Sequence, residues 1–132
     1  MKLASIDVGL KRIGIAICLT SDIVTPQTAI LRKNRNQAAR DVNIFLKEWE
    51  IEKLIVGFPS ASIDMQNRIN HFVSLLELEI PYEFCEENMS SIEAEDLIKG
   101  EIKYKRDGRI DSIAAKIILE RNLIKNKNKG SI

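Results

Sequence analysis

Apolar and polar side chains alternate from Lys2 to Val8 before the run turns hydrophobic, which is the period of a β-strand. Ile13 to Leu19 reads as a second strand. Only Gly9-Leu10-Lys11-Arg12 lies between them, so a β-hairpin is expected. Ile23 to Leu31, rich in Val, Thr and Ile, predicts a third strand, with Pro26 suited to an edge or a bulge and a turn near Ser21-Asp22. The period then changes. Ala38, Val42, Phe45, Leu46 and Trp49 fall on one helical stripe, predicting a helix over Gln37 to Trp49. Lys53 to Gly57 is a short buried strand leading into Gly57-Phe58-Pro59. Ile69, Phe72, Val73, Leu75 and Leu76 mark a second helix, beginning near Asp64 and broken by Pro81, and Tyr82 to Cys85 makes a fifth strand.

Ser90 followed by Glu93 is a capping-box pattern, so a third helix is expected from there through Ile98, ended by Gly100. Lys103 to Arg109 reads as a charged loop. The last helix is expected over Ile110 to Leu123, with Ile113, Ala114, Ile117, Ile118 and Leu123 inward. One domain over residues 1–124 and a frayed, polar, basic tail over 125–132 follow from this reading. An antiparallel set followed by strands separated by helices predicts an α/β fold. Its mixed five-stranded sheet would have helices on its faces and, with right-handed crossovers, the order 3-2-1-4-5. The carboxyl ends of strands one, four and five then share an edge, where open α/β sheets bind ligands.

Composition adds little until it is divided. With 20 basic and 19 acidic side chains the net charge is +1, but residues 1–49 carry +4, residues 50–98 carry −9 and residues 99–132 carry +6. A phosphate-binding surface would draw on the two ends, although random clustering on a solvated surface reads equally well. No apolar run reaches transmembrane length, and an early charge at Lys2 and Asp7 argues against a signal peptide. Cys18 and Cys85 lie in apolar strand-like runs and read as reduced, buried thiols of a cytoplasmic protein.

Three acidic residues stand in distinctive settings. Asp7 closes the first strand ahead of Gly9, Glu87 follows the fifth strand, and Asp111 opens the last helix. Three carboxylates in one cleft suit a hard divalent cation, Mg²⁺ or Mn²⁺. Two such cations roughly 3.5–4 Å apart can support phosphodiester cleavage. Each residue has a plainer reading: Asp7 as a turn cap, Asp111 as favourable charge at a helix start, and Glu87 as a bystander to its neighbour Glu86. Glu93 reads as a structural cap, and Asp107 as a solvated loop residue or a fourth carboxylate. His71 has no metal-spaced partner and reads as a surface residue. Trp49 reads as core, and Trp49, Tyr82 and Tyr104 are too scattered to form a base-stacking platform. No Gly-x-x-x-x-Gly-Lys-Ser/Thr run and no zinc spacing exist.

The order of elements and the three acidic segments resemble the YqgF family, also called RuvX-like. It comprises Holliday-junction resolvases and pre-16S rRNA nucleases of the ribonuclease H-like fold. Asp7-Val-Gly-Leu-Lys-Arg-Ile-Gly-Ile-Ala looks like the family's Asp-x-Gly-x-x-Arg-x-Gly-x-Ala, and Gly108-Arg-Ile-Asp111-Ser-Ile-Ala-Ala matches its Gly-x-Val-Asp-Ser-x-Ala-Ala. The family's Asp-Glu-Arg-Leu-Thr-Thr stands here as Glu86-Glu-Asn-Met-Ser-Ser91, without the arginine. Gly57-Phe-Pro59 is kept, but the glycine-rich stretch after it is replaced by Ser60-Ala-Ser-Ile-Asp-Met-Gln66.

The resemblance implies a metal-dependent nuclease with Asp7, Glu87 and Asp111 as catalytic metal ligands. Its substrate would be structured RNA, above all precursor 16S rRNA, or branched DNA. Cleavage would leave 5′-phosphate and 3′-hydroxyl ends, and a homodimer would suit symmetric incision of a junction. Lys11, Arg12, Ser90, Lys103, Lys105, Arg106 and Arg109 are the expected phosphate contacts. The departures at Asn88 and residues 60–66 motivate an alternative, a nucleic-acid-binding module that kept the fold and lost cleavage. An actin-like ATPase shares only Asp-x-Gly, and one short domain cannot form its two-lobed cleft.

Overall fold

A computed structural model describes residues 1–20, 23–86 and 110–130, with side chains described in the last helix from Ser112 to Asn126. The strands are β1 (Leu3–Val8), β2 (Arg12–Cys18), β3 (Thr25–Leu31), β4 (Lys53–Phe58) and β5 (Tyr82–Glu86). The helices are α1 (Arg35–Glu48), α2 (Ile63–Leu76) and α3 (Ile110–Gly130). The sheet order is β3-β2-β1-β4-β5, as expected. β1 pairs antiparallel with β2 and parallel with β4, which pairs parallel with β5. This is the ribonuclease H-like arrangement. The expected turn at Ser21-Asp22, the helix from Ser90 and the loop from Lys103 lie outside the described residues.

Strand alternation divides the core into two layers. Ala4, Ile6 and Val8 of β1, with Ile13, Ile15 and Ile17 of β2, pack against Ala38, Val42, Ile69 and Phe72 of α1 and α2. Leu3, Ala16, Cys18, Ile55 and Cys85 face the other way, onto Ala115, Ile118 and Leu119 of α3. Trp49 is half-buried against the first layer, stacked near Phe45. Both cysteines are buried and outside any disulfide, and burial pushes the Cys85 thiol up.

Several boundaries differ from expectation for local reasons. α1 begins at Arg35 because Asn34 caps it: the Asn34 side chain accepts from the Gln37 amide, and Gln37 closes a capping box. β3 begins at Thr25, with Pro26 on an edge strand beside a register shift between Ile13 and Ile15. α2 is stopped by Glu77 in the left-handed region (φ 47°), ahead of Pro81. α3 does not end at Leu123: it runs to Gly130, so residues 125–130 are helical and not a separate frayed tail. No proline or glycine interrupts Lys125-Asn-Lys-Asn-Lys, and lysines near a helix C-terminus complement its dipole.

Candidate active site at the carboxyl edge of the sheet

β1, β4 and β5 run parallel, so their carboxyl ends share one edge. The hairpin after β1 closes at this edge. Gly9 N–H donates to the Arg12 carbonyl at 3.0 Å, and a Cβ on Gly9 would lie 2.6 Å from that same oxygen. Glycine is needed here by close approach of backbone to backbone. Asp7 sits one step before the turn, half-buried and paired in register with Gly14.

Two hydrogen bonds fix α3 over this strand pair. Ser5, fully buried, donates its hydroxyl to the Ala115 carbonyl at 2.6 Å. Ile15 N–H, at the register shift, donates to Ser112 Oγ at 3.0 Å, also buried. Asp7 is two residues beyond Ser5 on the same face of β1, a rise of roughly 6.6 Å. Asp111 is one helical turn before Ala115, roughly 5.4–6 Å back along the axis. The Ser112 anchor sets the first turn of α3, in which the Asp111 backbone lies, on β2, the strand paired with the one that carries Asp7.

Of the expected site residues, Asp7, Lys11 and Arg12 are described in full, the last two exposed at the hairpin. Asp111 is placed by its backbone. Glu87, Ser90, Glu93, Lys103, Lys105, Arg106, Asp107 and Arg109 lie outside the described residues. Among the described residues no three His, Cys, Asp or Glu side chains gather as a metal set. Glu86 is exposed at the end of β5 and accepts from Ser60 N–H at 3.2 Å, tying it to the turn after β4. That tie sets its carboxylate on the face away from α3. His71 is exposed on α2, its Nε2 3.0 Å from Arg35 Nη1.

Two features escaped the sequence. Arg32, just after β3, braces the hairpin: its N–H donates to the Lys11 carbonyl and its guanidinium to the Gly9 carbonyl, both at 2.9 Å. Its guanidinium carbon also lies 5.7 Å from the Phe72 ring centroid. Tyr82 is not isolated either. Its ring meets Phe84, which stacks at 4.5 Å on Phe58. The Phe58–Phe84 contact crosses strands, so it is set by register and leaves no local signal.

Residues 1–125 match the family model described as RuvX: Holliday junction resolvase. A relative from Sulfurovum sp. (strain NBC37-1), named "Putative pre-16S rRNA nuclease", is 66% identical over 126 residues, covering 93% of this chain and 98% of the relative. One of the same name from Sulfurimonas denitrificans is 52% identical over 126 residues, covering 93% and 97%. The crystal structure of the fowlpox virus Holliday junction resolvase shares the fold at a TM-score of 0.56 and 19% identity, covering 96% of this chain and 99% of that one. A structure of fowlpox virus resolvase with its substrate Holliday junction DNA gives a TM-score of 0.54 at 15% identity, covering 93% and 99%.

Proposed function

The chain belongs to the RuvX family of Holliday junction resolvases, and from that premise we propose that it is a nuclease that hydrolyses phosphodiester bonds in structured RNA. The high identity to relatives named for precursor 16S rRNA favours 5′-end processing of that RNA over resolution of DNA junctions. Such work belongs in the cytoplasm, where ribosomal RNA is made and trimmed. Among the described residues no helix is long and apolar enough to cross a membrane.

The observation that carries the reading is the crossing of β1 and α3. Two buried hydrogen bonds anchor the start of α3, and with it the Asp111 backbone, on the two strands that flank the turn after Asp7. An oxygen-only donor set of Asp7, Asp111 and Glu87 fits Mg²⁺ or Mn²⁺, which bind through a few carboxylates while keeping water and phosphate oxygens. The Ser60 tie of Glu86 favours Glu87 as the third ligand. When bound, the cation supplies positive charge against the oxygens of the scissile phosphate. The chain's own part is orientation. Ser5 and Ser112 hold α3 against the sheet, and Gly9 and Arg32 hold the turn behind Asp7. Lys11 and Arg12 offer charge to the flanking phosphates.

The test is cleavage of a precursor 16S rRNA fragment and of a synthetic four-way DNA junction, with Mg²⁺ and with EDTA. Wild type should cut the RNA only with the cation and leave 5′-phosphate ends. Asp7→Asn should abolish cutting while keeping binding. RNA binding without cleavage by wild type under any divalent cation would overturn the nuclease reading in favour of a binding module.

A further inference from the structure

Among the described residues some cations are paired with carboxylates, and others, Arg40 and Lys47 of α1 among them, are not. Lys2 pairs with Glu50 at 3.1 Å and Lys53 with Glu83 at 3.5 Å, both by the amino ends of the strands, and Lys116 pairs with Glu120 within α3. At the carboxyl edge, Lys11, Lys33, Arg35 and Arg68 form no carboxylate pair among the described residues, and all four are exposed.

These residues are joined by structure. Arg32 links to Lys11 through its backbone and to the hairpin turn through its guanidinium. Lys33 and Arg35 flank the Asn34 cap of α1, and Arg35 reaches His71 on α2. Arg68 is three residues before His71 and so shares its helix face. The result is a rim of cations from the turn beside Asp7, over the start of α1, to α2, where Asp64 stands one helical turn before Arg68. Its charge opposes local preference. The first turn of α1 holds no acidic residue, and cations lie instead at its positive dipole end. Unpaired cations against a helix dipole are an electrostatic cost that a bound polyanion removes. A line of cations, continuous with the cleavage edge, fits a phosphate backbone better than a compact anion, and guanidinium forks suit phosphate oxygens.

We infer that Lys33, Arg35 and Arg68 bind the phosphate backbone of the RNA that flanks the cleaved bond. The inference rests on the nuclease reading and assigns these residues to positioning the substrate, not to chemistry. Arg32 fixes the rim's origin and is too involved in the turn to serve as a clean probe.

The experiment measures binding of the full chain to an RNA hairpin with a 5′ single-stranded extension, by fluorescence anisotropy in EDTA across a salt series. The double variant Lys33→Glu/Arg35→Glu, and separately Arg68→Glu, should weaken binding by roughly tenfold or more near physiological salt. Each lost contact should lower the salt slope by about one. Lys2→Glu, at the opposite edge, should change neither quantity, and unchanged circular dichroism would show that the variants fold. An unchanged slope, an equal loss in Lys2→Glu, or dissociation of a self-associated form as the sole effect would overturn the rim. Because no cation is present, this outcome is independent of cleavage. Intact rim-dependent binding with no cleavage under Mg²⁺ would sink the nuclease reading and leave the rim standing.

Discussion

Ser112 Oγ accepts the Ile15 amide at 3.0 Å, joining the first turn of α3 to the centre of β2. Both groups are buried, so Ser112→Ala leaves a backbone donor unsatisfied. That should cost roughly 1–3 kcal/mol of stability. The helix start that carries Asp111 would also lose its anchor, so activity should fall further than the small chemical change suggests. Chemical denaturation together with RNA cleavage measures both. Ser112→Thr, which keeps the hydroxyl, should recover much of the activity if the bond is what matters.

Gly9→Ala tests the hairpin. The new methyl would press on the Arg12 carbonyl 2.6 Å away, and backbone cannot swing aside as a flexible side chain can. The turn must open, at a cost of roughly 1–3 kcal/mol. Since Asp7 precedes the turn, a displacement of about 1 Å at the carboxylate would lower the cleavage rate by up to roughly a hundredfold. A thermal melt and single-turnover cleavage separate the two effects. A variant that melts like wild type and cuts at full rate would show that the turn tolerates the methyl.

The sheet order and most elements were legible because each strand and helix carries its own period. The Asp7-x-Gly9 and Asp111-Ser112-x-Ala114-Ala115 runs each mark a turn or helix start whose local geometry demands those residues. What escaped depends on contacts between distant segments. Arg32 is one of several basic residues in sequence and becomes a brace only when β3 ends beside the hairpin. Phe58 and Phe84 become neighbours only through the β4–β5 register, whereas Tyr82 and Phe84 share one face of β5. The start of α1 was legible in principle, since Asn34 and Gln37 have capping-box spacing that the apolar stripe, beginning at Ala38, does not cover. The run of α3 to Gly130 escaped because its polar residues carry no apolar period.

Glu83 links stability to pH. The Asn122 amide, donating to its carboxylate, holds Glu83 below its ordinary value, aided by Lys53 and opposed by partial burial. A folded value below the unfolded one means this stabilisation is present above the unfolded value, near 4.5. It is lost as pH falls through the folded value. The side chain is 40% exposed, so solvent screening keeps the effect small. Denaturation curves of wild type and Glu83→Gln should differ at neutral pH and converge as acidification passes through the folded value. A difference that stays constant over that range would show that the carboxylate's charge is not what Asn122 recognises.

Glu77 ends α2 with φ at 47°, a conformation that crowds its Cβ against the backbone. The helix needs that left-handed residue to turn the chain toward Leu78 and β5, and glycine adopts it without the clash. Relief of the strain, roughly 1–2 kcal/mol, is partly offset by the greater freedom glycine has when unfolded, roughly 0.5–1 kcal/mol. Glu77→Gly should therefore stabilise the protein by up to about 1 kcal/mol. Glu77 lies at the end of the molecule away from Asp7, at the carboxyl end of α2, so cleavage should be unaffected. Glu77→Ala separates backbone from charge: it removes the carboxylate beside the helix's negative end but keeps the Cβ. If backbone strain outweighs charge, the alanine variant stays near wild type and only glycine raises the midpoint. An equal gain from both would assign the effect to charge at the helix terminus.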